Sequence, residues 1–180
     1  MNAATRGVRG NSQMLVHAWK ENIMECETLL AAVAERYGEI LGDNLAGIYV
    51  HGSIAIGCFH WESSDIDFLA VVENPVPQRA KLQILEALEQ LRAQAPPKGF
   101  EMSVALARYC RDFVYPTPYE LHFSANWLGR YLESPLLLAN DDVKLDSDLA
   151  APFTVIKKRG IAVRQADIRD FRRCPRVGLS

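Results

Sequence analysis

The stretch that decides the fold covers residues 51–72 and reads HGSIAIGCFHWESSDIDFLAVV. Its Gly-Ser pair at 52–53 follows the apolar run AGIYV at 46–50, which predicts a short buried strand that ends in a turn or helix start. Its last part opens with Asp65 and Asp67 and is otherwise apolar on both pleat faces, as expected of a strand covered on both sides. The stretch therefore predicts two buried strands with polar residues at their ends.

Asp65 and Asp67 need a chemical explanation, because aspartate is disfavoured in strands and is costly to bury without a partner. A spacing of two residues points both carboxylates to the same side of the sheet, roughly 7 Å apart along the strand. Carboxylates of this kind suit Mg²⁺, which takes one or two of them and fills its shell with water and substrate phosphates. Taken alone, the pair fits two solvated residues at a strand end better than it fits a metal site.

Two neighbouring features favour the metal interpretation. Gly52 and Ser53 lie where free backbone N–H groups and a close-approach glycine can hold a phosphate. The alternating run FEMSVAL at 100–106 predicts another strand, with Glu101 at its start and able to meet the aspartates at the same end of the sheet. Three carboxylates beside a phosphate-binding turn form a site for metal-assisted phosphoryl chemistry.

The rest of the chain predicts helices around these strands. Apolar residues recur every three or four positions up to Ile40 in a helix that Ser12 would cap. A second helix is predicted over 82–91, an edge strand over 119–124, and a last helix over 149–159 that residues 146–148 would cap. This order predicts an α/β (α+β) fold, a small mixed sheet flanked by helices.

Length and composition limit the class of protein. The chain has 180 residues, 49% of them apolar, which allows one domain of about 150 residues with a real core and a remainder. We expect a flexible N-terminus over 1–13, a catalytic domain over 14–145, and a short helix with a basic tail over 146–180. The cysteines lack ligand spacing and no apolar run could cross a bilayer, so we expect a cytoplasmic protein.

Charge is distributed unevenly along the chain. The net charge is −2, from 20 basic and 22 acidic residues, which provides no global positive field for nucleic acid or a membrane. From Lys157 to Ser180 there are eight Lys or Arg and two Asp, so this end carries +6 and the preceding residues −8. We therefore expect no membrane partner, no general nucleic-acid binding, and local binding of any phosphate ligand.

Residues 51–72 resemble the signature of the polymerase-beta-like nucleotidyltransferase superfamily, which is Gly-Ser, a spacer of about ten residues and Asp-x-Asp in a hydrophobic strand. FEMSV at 100–104 and YPTPYELHF at 115–123 are similar to segments of the aminoglycoside 3''-type (streptomycin and spectinomycin) adenylyltransferases. The resemblance covers residues 45–160. It implies that the protein transfers AMP from ATP to a hydroxyl of a small molecule and releases pyrophosphate. The similarity to these adenylyltransferases implies that the small molecule is an aminoglycoside.

The same resemblance implies a role for each site residue. Asp65 and Asp67 would ligate the Mg²⁺ ions bound to ATP, and Glu101 would complete the metal site and deprotonate the acceptor hydroxyl. The residues that would contact the nucleotide are Gly52, Ser53 and Ser64.

The resembled adenylyltransferases also have a C-terminal helical domain, of which residues 146–180 would be a remnant. The acceptor site would then be incomplete within one chain. A homodimer, a partner subunit or loss of the original activity would each account for that. Two other functions therefore stay open: modification of a protein or RNA partner by a minimal nucleotidyltransferase, and nucleotide binding without turnover.

Overall fold

The structure, a computed structural model, describes residues 4–140 and 142–164. Its α-helices are α1 Ala4–Leu41, α2 Gly52–Ile56, α3 Gln78–Leu91, α4 Ala107–Arg111, α5 Leu128–Glu133, α6 Pro135–Leu138 and α7 Ala150–Arg159. Its strands are β1 Leu45–Val50, β2 Ile66–Val72, β3 Phe100–Leu106, β4 Thr117–Tyr119, β5 Leu121–Phe123, β6 Lys144–Asp146 and β7 Ile161–Arg164. Short 3-10 helices occupy Gly42–Asn44, Arg92–Gln94 and Ala125–Trp127.

The central sheet has the strand order β5-β3-β2-β1-β7 among the described residues. β2 and β3 are parallel, and the other neighbours in the sheet are antiparallel, so the sheet is mixed as predicted. The strand predicted over 119–124 is β5, and it lies at one edge. β4 and β6 pair separately in a two-stranded ribbon.

Helices cover both faces of the sheet because its side chains alternate between two apolar cores. The larger core joins α1 and α3 to strand residues such as Phe68 and Met102. The smaller core joins α7 to strand residues such as Leu69. Asp67 and Glu101 alternate with the residues of the larger core, so both lie on the face that α7 covers.

The first helix is longer than its sequence pattern predicts. α1 begins at Ala4, not at Ser12, so the structure places residues 4–13, which we expected to be flexible, in this helix. This part of the sequence contains no proline, and a serine within a helix costs only a few tenths of a kcal/mol, about 0.5. Although α1 has 38 residues, no described helix is apolar enough over its length to span a membrane.

The end of the described chain belongs to the sheet. β7 pairs with β1, and Phe153 and Ile156 of α7 fill the smaller core. Residues 150–164, which we expected to belong to a remnant of a second domain, therefore pack against the central sheet, and the division of the chain into domains stays a prediction. Four partly exposed residues are too few to produce a recognisable strand pattern, which is why the sequence did not predict β7. The basic tail beyond residue 164 lies outside the described residues.

A buried hydroxyl in the larger core gives a first prediction. Tyr37 is fully buried and packs on Phe68, and its hydroxyl has no hydrogen-bond partner among the described residues. Such a group costs about 1–3 kcal/mol, so we expect Tyr37→Phe to raise the free energy of unfolding by about 1 kcal/mol in urea titrations. Tyr37→Leu, which also removes the ring, is the control and should destabilise. A less stable Tyr37→Phe would contradict the assignment.

Candidate active site

The three carboxylates predicted from the sequence meet at one end of the β2–β3 pair. Asp67 and Glu101 are register partners on these parallel strands, and Asp65 directly precedes β2. One oxygen of each carboxylate lies within 4.8 Å of the others, and all three residues are partly buried. A compact set of hard oxygen donors with remaining access to solvent is suited to a divalent cation.

These carboxylates repel one another when no cation is bound. The pKa of Asp67 is raised from 3.8 to about 7, chiefly by burial and then by the charges of Asp65 and Glu101. A hydrogen bond from the Ser53 backbone N–H partly offsets this rise by lowering the same pKa. Burial also raises the pKa of Glu101, with further contributions from the charges of three aspartates. A divalent cation would offset this repulsion, so the donor set fits Mg²⁺.

Gly52 and Ser53 lie directly against Asp67. Gly52 has a φ of 58°, and a Cβ at this position would overlap the Asp67 carboxylate, so the position requires glycine. The Ser53 backbone N–H donates a hydrogen bond to the same carboxylate. The Ser53 Oγ is buried and has no hydrogen-bond partner within the described part of the chain. This hydroxyl therefore has unused hydrogen-bonding capacity next to the Asp67 carboxylate.

Ser64 is engaged within its own turn. Its Oγ accepts a hydrogen bond from the His60 N–H at 3.1 Å, and its N–H donates to the His60 carbonyl at 2.8 Å. The side chain therefore stabilises the turn that leads into Asp65. The nucleotide contact expected of Ser64 stays a prediction.

Two further carboxylates lie near Glu101, and sequence reasoning missed their role. Asp146 ends β6, and its Oδ1 accepts a hydrogen bond from the Asp148 N–H at 2.7 Å. The predicted helix cap is wrong, because α7 begins after Leu149 without a side-chain cap. Instead, after burial and the charge of Asp65, the charges of Asp146 and Asp148 also contribute to raising the pKa of Glu101. Only the β4–β6 pairing brings these residues to the site, and no spacing along the chain reveals it.

The fold and the site together define a class of protein. A mixed sheet that holds three carboxylates beside a close-approach glycine is suited to metal-assisted phosphoryl transfer. The chain belongs to the nucleotidyltransferase domain family, whose model matches residues 26–132. This match confirms the resemblance carried by residues 51–72 and the predicted enzyme class. No curated protein sequence matches the chain.

A solved structure has a similar fold: the spectinomycin adenyltransferase AAD(9) from Enterococcus faecialis with ATP and spectinomycin. The TM-score is 0.68 at 18% sequence identity. The alignment covers 80% of this chain and 58% of that one, so the chain spans less than two thirds of the length of that protein. Similarity at this identity shows a shared fold, and it confirms the predicted mixed sheet flanked by helices.

Proposed function

We propose that the chain is a Mg²⁺-dependent nucleotidyltransferase that moves AMP from ATP to a hydroxyl of an aminoglycoside and releases pyrophosphate. The observation that carries this proposal is the meeting of Asp65, Asp67 and Glu101 within 4.8 Å of one another. The family match supports nucleotidyl transfer. The similarity to a spectinomycin adenyltransferase supports the acceptor class.

The carboxylates and the Gly-Ser turn have separate tasks in this proposal. Asp65, Asp67 and Glu101 would hold Mg²⁺, which supplies positive charge against the phosphates and the leaving pyrophosphate. Gly52 leaves room for the Asp67 carboxylate and for a ligand beside it. The unpaired Ser53 hydroxyl donates a hydrogen bond to a phosphate oxygen of ATP.

Glu101 is the base in this proposal. Burial and the nearby aspartates raise its pKa, which makes its carboxylate a better proton acceptor than an exposed glutamate. The acceptor hydroxyl gives its proton to Glu101 while its oxygen bonds to the α-phosphorus. The bond from that phosphorus to the bridging oxygen breaks at the same time, and pyrophosphate leaves. The other residues contribute by positioning the two substrates.

The proposed function is tested by pyrophosphate release from ATP and Mg²⁺ across a panel that contains spectinomycin, streptomycin and other aminoglycosides. Release that requires an aminoglycoside, with an AMP adduct in the mass spectrum, supports the proposal. Labelled AMP on a discrete macromolecule of a cell lysate would favour the alternative of a protein or RNA acceptor. ATP binding without transfer to any acceptor would contradict turnover. A cytoplasmic location and a homodimer or partner subunit stay predictions.

The unpaired hydroxyl of Ser53 gives a second prediction. Ser53→Ala removes one hydrogen bond to the nucleotide, so we expect the KM for ATP to rise about tenfold, as for a contribution of about 1.4 kcal/mol. The free energy of unfolding should not fall, because the hydroxyl has no partner to lose. Ser63→Ala, at an exposed serine of the neighbouring turn, is the control. An unchanged KM for ATP in Ser53→Ala would remove Ser53 from the nucleotide site.

A further inference from the structure

The strand register defines two sides of the carboxylate cluster. β2 lies on one side of β3, and Asp67 pairs with Glu101 across it. β5 lies on the other side, where His122 pairs with Ser103. Glu101 and Ser103 are two residues apart on β3, so their side chains share a face of the sheet. His122 therefore lies one register step from Glu101, on the side away from Asp67.

In-line transfer places the two substrates on different sides of the cluster. The attacking and leaving oxygens must lie on opposite sides of the α-phosphorus. Gly52 and Ser53, which would receive the phosphates, lie against Asp67 on the β2 side. The acceptor must then approach from the β5 side, where Glu101 can take its proton.

Two contacts hold the His122 ring on that side. The Ser103 Oγ and His122 Nδ1 atoms lie 2.9 Å apart, and Ser103 is buried. The Tyr119 ring meets the imidazole at 73°, with 6.2 Å between ring centroids. Nδ1 is engaged by Ser103, and Nε2 has no hydrogen-bond partner in residues 4–140 and 142–164. A ring fixed through one nitrogen and open at the other is preorganised for a ligand.

Asp146 gives the same side a negative charge. Asp146 pairs in register with Thr117, two residues before Tyr119 on β4. Burial and then the charge of Asp146 raise the pKa of Tyr119, and the same charge opposes the lowering of the His122 pKa by burial. The charge of Asp146 also contributes, after burial and Asp65, to raising the pKa of Glu101. Within the described residues, Asp146 accepts the Asp148 N–H and has no ion pair. A cationic group of a ligand would balance this charge.

From this geometry we propose that His122 is a specificity-determining residue that binds a hydroxyl of the acceptor next to the reacting one. Tyr119 and Asp146 complete the subsite, which suits a polyhydroxylated molecule that carries an ammonium group. The subsite rests on the proposed function, since its position follows from in-line transfer. Ser103 is a positioning residue, because it acts through the His122 ring.

Two substitutions of His122 test the contributions of its two ring nitrogens separately. In H122N the side-chain amide occupies the position of Nδ1 and keeps the hydrogen bond to Ser103. In H122Q the side-chain amide occupies the position of Nε2. The measurement is the Kd of spectinomycin by calorimetry, with Mg²⁺ and α,β-methylene-ATP, which cannot transfer AMP. We expect H122N to raise this Kd about tenfold and H122Q by less than about threefold. The Kd of the ATP analogue should not change.

Further variants keep the test decisive if H122N does not fold. Asp146→Asn retains an oxygen for the Asp148 N–H and should raise the spectinomycin Kd about tenfold by loss of charge. His60→Asn, at an exposed histidine, is the matched control.

Several outcomes overturn the subsite. The first is a wild-type protein that binds the ATP analogue but not spectinomycin. The second is an unchanged spectinomycin Kd in H122N or in Asp146→Asn. The third is a rise in the Kd of the ATP analogue, in either variant, as large as the rise in the Kd of spectinomycin. If these binding results hold but ATP gives no transfer, the proposed function fails, and His122 then contributes to a binding site for spectinomycin but not to the specificity of transfer.

Discussion

Asp67→Asn is expected to reduce nucleotidyl transfer by at least about a thousandfold, because it removes a charged ligand from the proposed cation site. Asp67 is the most constrained of the three carboxylates: it pairs in register with Glu101, accepts the Ser53 N–H and lies against Gly52. An asparagine fits the same space but does not balance the charge of a metal–ATP complex. Steady-state release of pyrophosphate with saturating ATP, Mg²⁺ and acceptor measures the loss.

The same substitution should stabilise the metal-free protein at high pH. Asp67 has a pKa of about 7 in the folded protein, raised from 3.8 by burial and by the charges of Asp65 and Glu101. The folded state therefore keeps a proton that the unfolded chain releases, and the stability of the wild type falls as pH rises from about 4 to about 7. The Asp67→Asn protein escapes this loss. We expect it to be more stable at pH 8 by on the order of 1 kcal/mol, allowing for partial exposure.

Urea unfolding at pH 4 and pH 8, without metal, tests this second effect. The two proteins should have similar stability at pH 4 and differ at pH 8. Mg²⁺ with ATP should raise the Tm of the wild type at pH 8 and have little effect on the Asp67→Asn protein. Asp43→Asn is the control, because this exposed carboxylate lies at the opposite end of β1. Transfer within tenfold of wild type in Asp67→Asn would refute the metal-site assignment.

Gly52→Ala is expected to have the second largest effect. An alanine there would have to keep a φ of 58° and would place its Cβ in the Asp67 carboxylate. The backbone conformation alone costs about 1–2 kcal/mol. Displacement of Asp67 would also disturb the cation site, so we expect transfer to fall by more than about a hundredfold, since a misplacement of about 1 Å costs that much.

Gly57→Ala is the matched control for Gly52→Ala. Gly57 also has a positive φ, 78°, but a Cβ at that position meets nothing within 4 Å. Gly57→Ala should therefore lose about 1–2 kcal/mol of stability and Gly52→Ala at least as much, and only Gly52→Ala should lose transfer as well. Equal transfer rates in the two variants would show that the contact with Asp67 is not needed for activity.

The candidate cation site could be predicted because each of its parts is a local pattern. Asp65 and Asp67 stand out as charges at the start of an apolar run, and the alternation in residues 100–106 puts Glu101 at the start of the next strand. Parallel pairing of β2 with β3 then brings these carboxylates together, as expected from the position of each at the start of its strand. To predict that the three carboxylates lie together, only one strand pairing had to be predicted correctly.

The proposed acceptor side could not be predicted in the same way. His122 lies beside Glu101 because β5 pairs with β3, and Asp146 comes near because β6 pairs with β4. β4, β5 and β6 have three residues each, too few for periodicity to show which face they present. Asp146 also stands shortly before a helix, where an aspartate predicts a cap, so its local context favoured another role.

The sequence by itself determined the mixed α/β fold, the family and the three acids, because strand and helix periodicity and a local motif depend only on residues near one another. The tertiary structure alone decided that residues 150–164 belong to the sheet and its smaller core. It also decided that Gly52 and Ser53 touch Asp67 and that His122 and Asp146 lie on the other side of Glu101. These contacts depend on which strands pair: β1 with β2 and β7, β5 with β3, and β6 with β4. No spacing along the chain encodes those pairings.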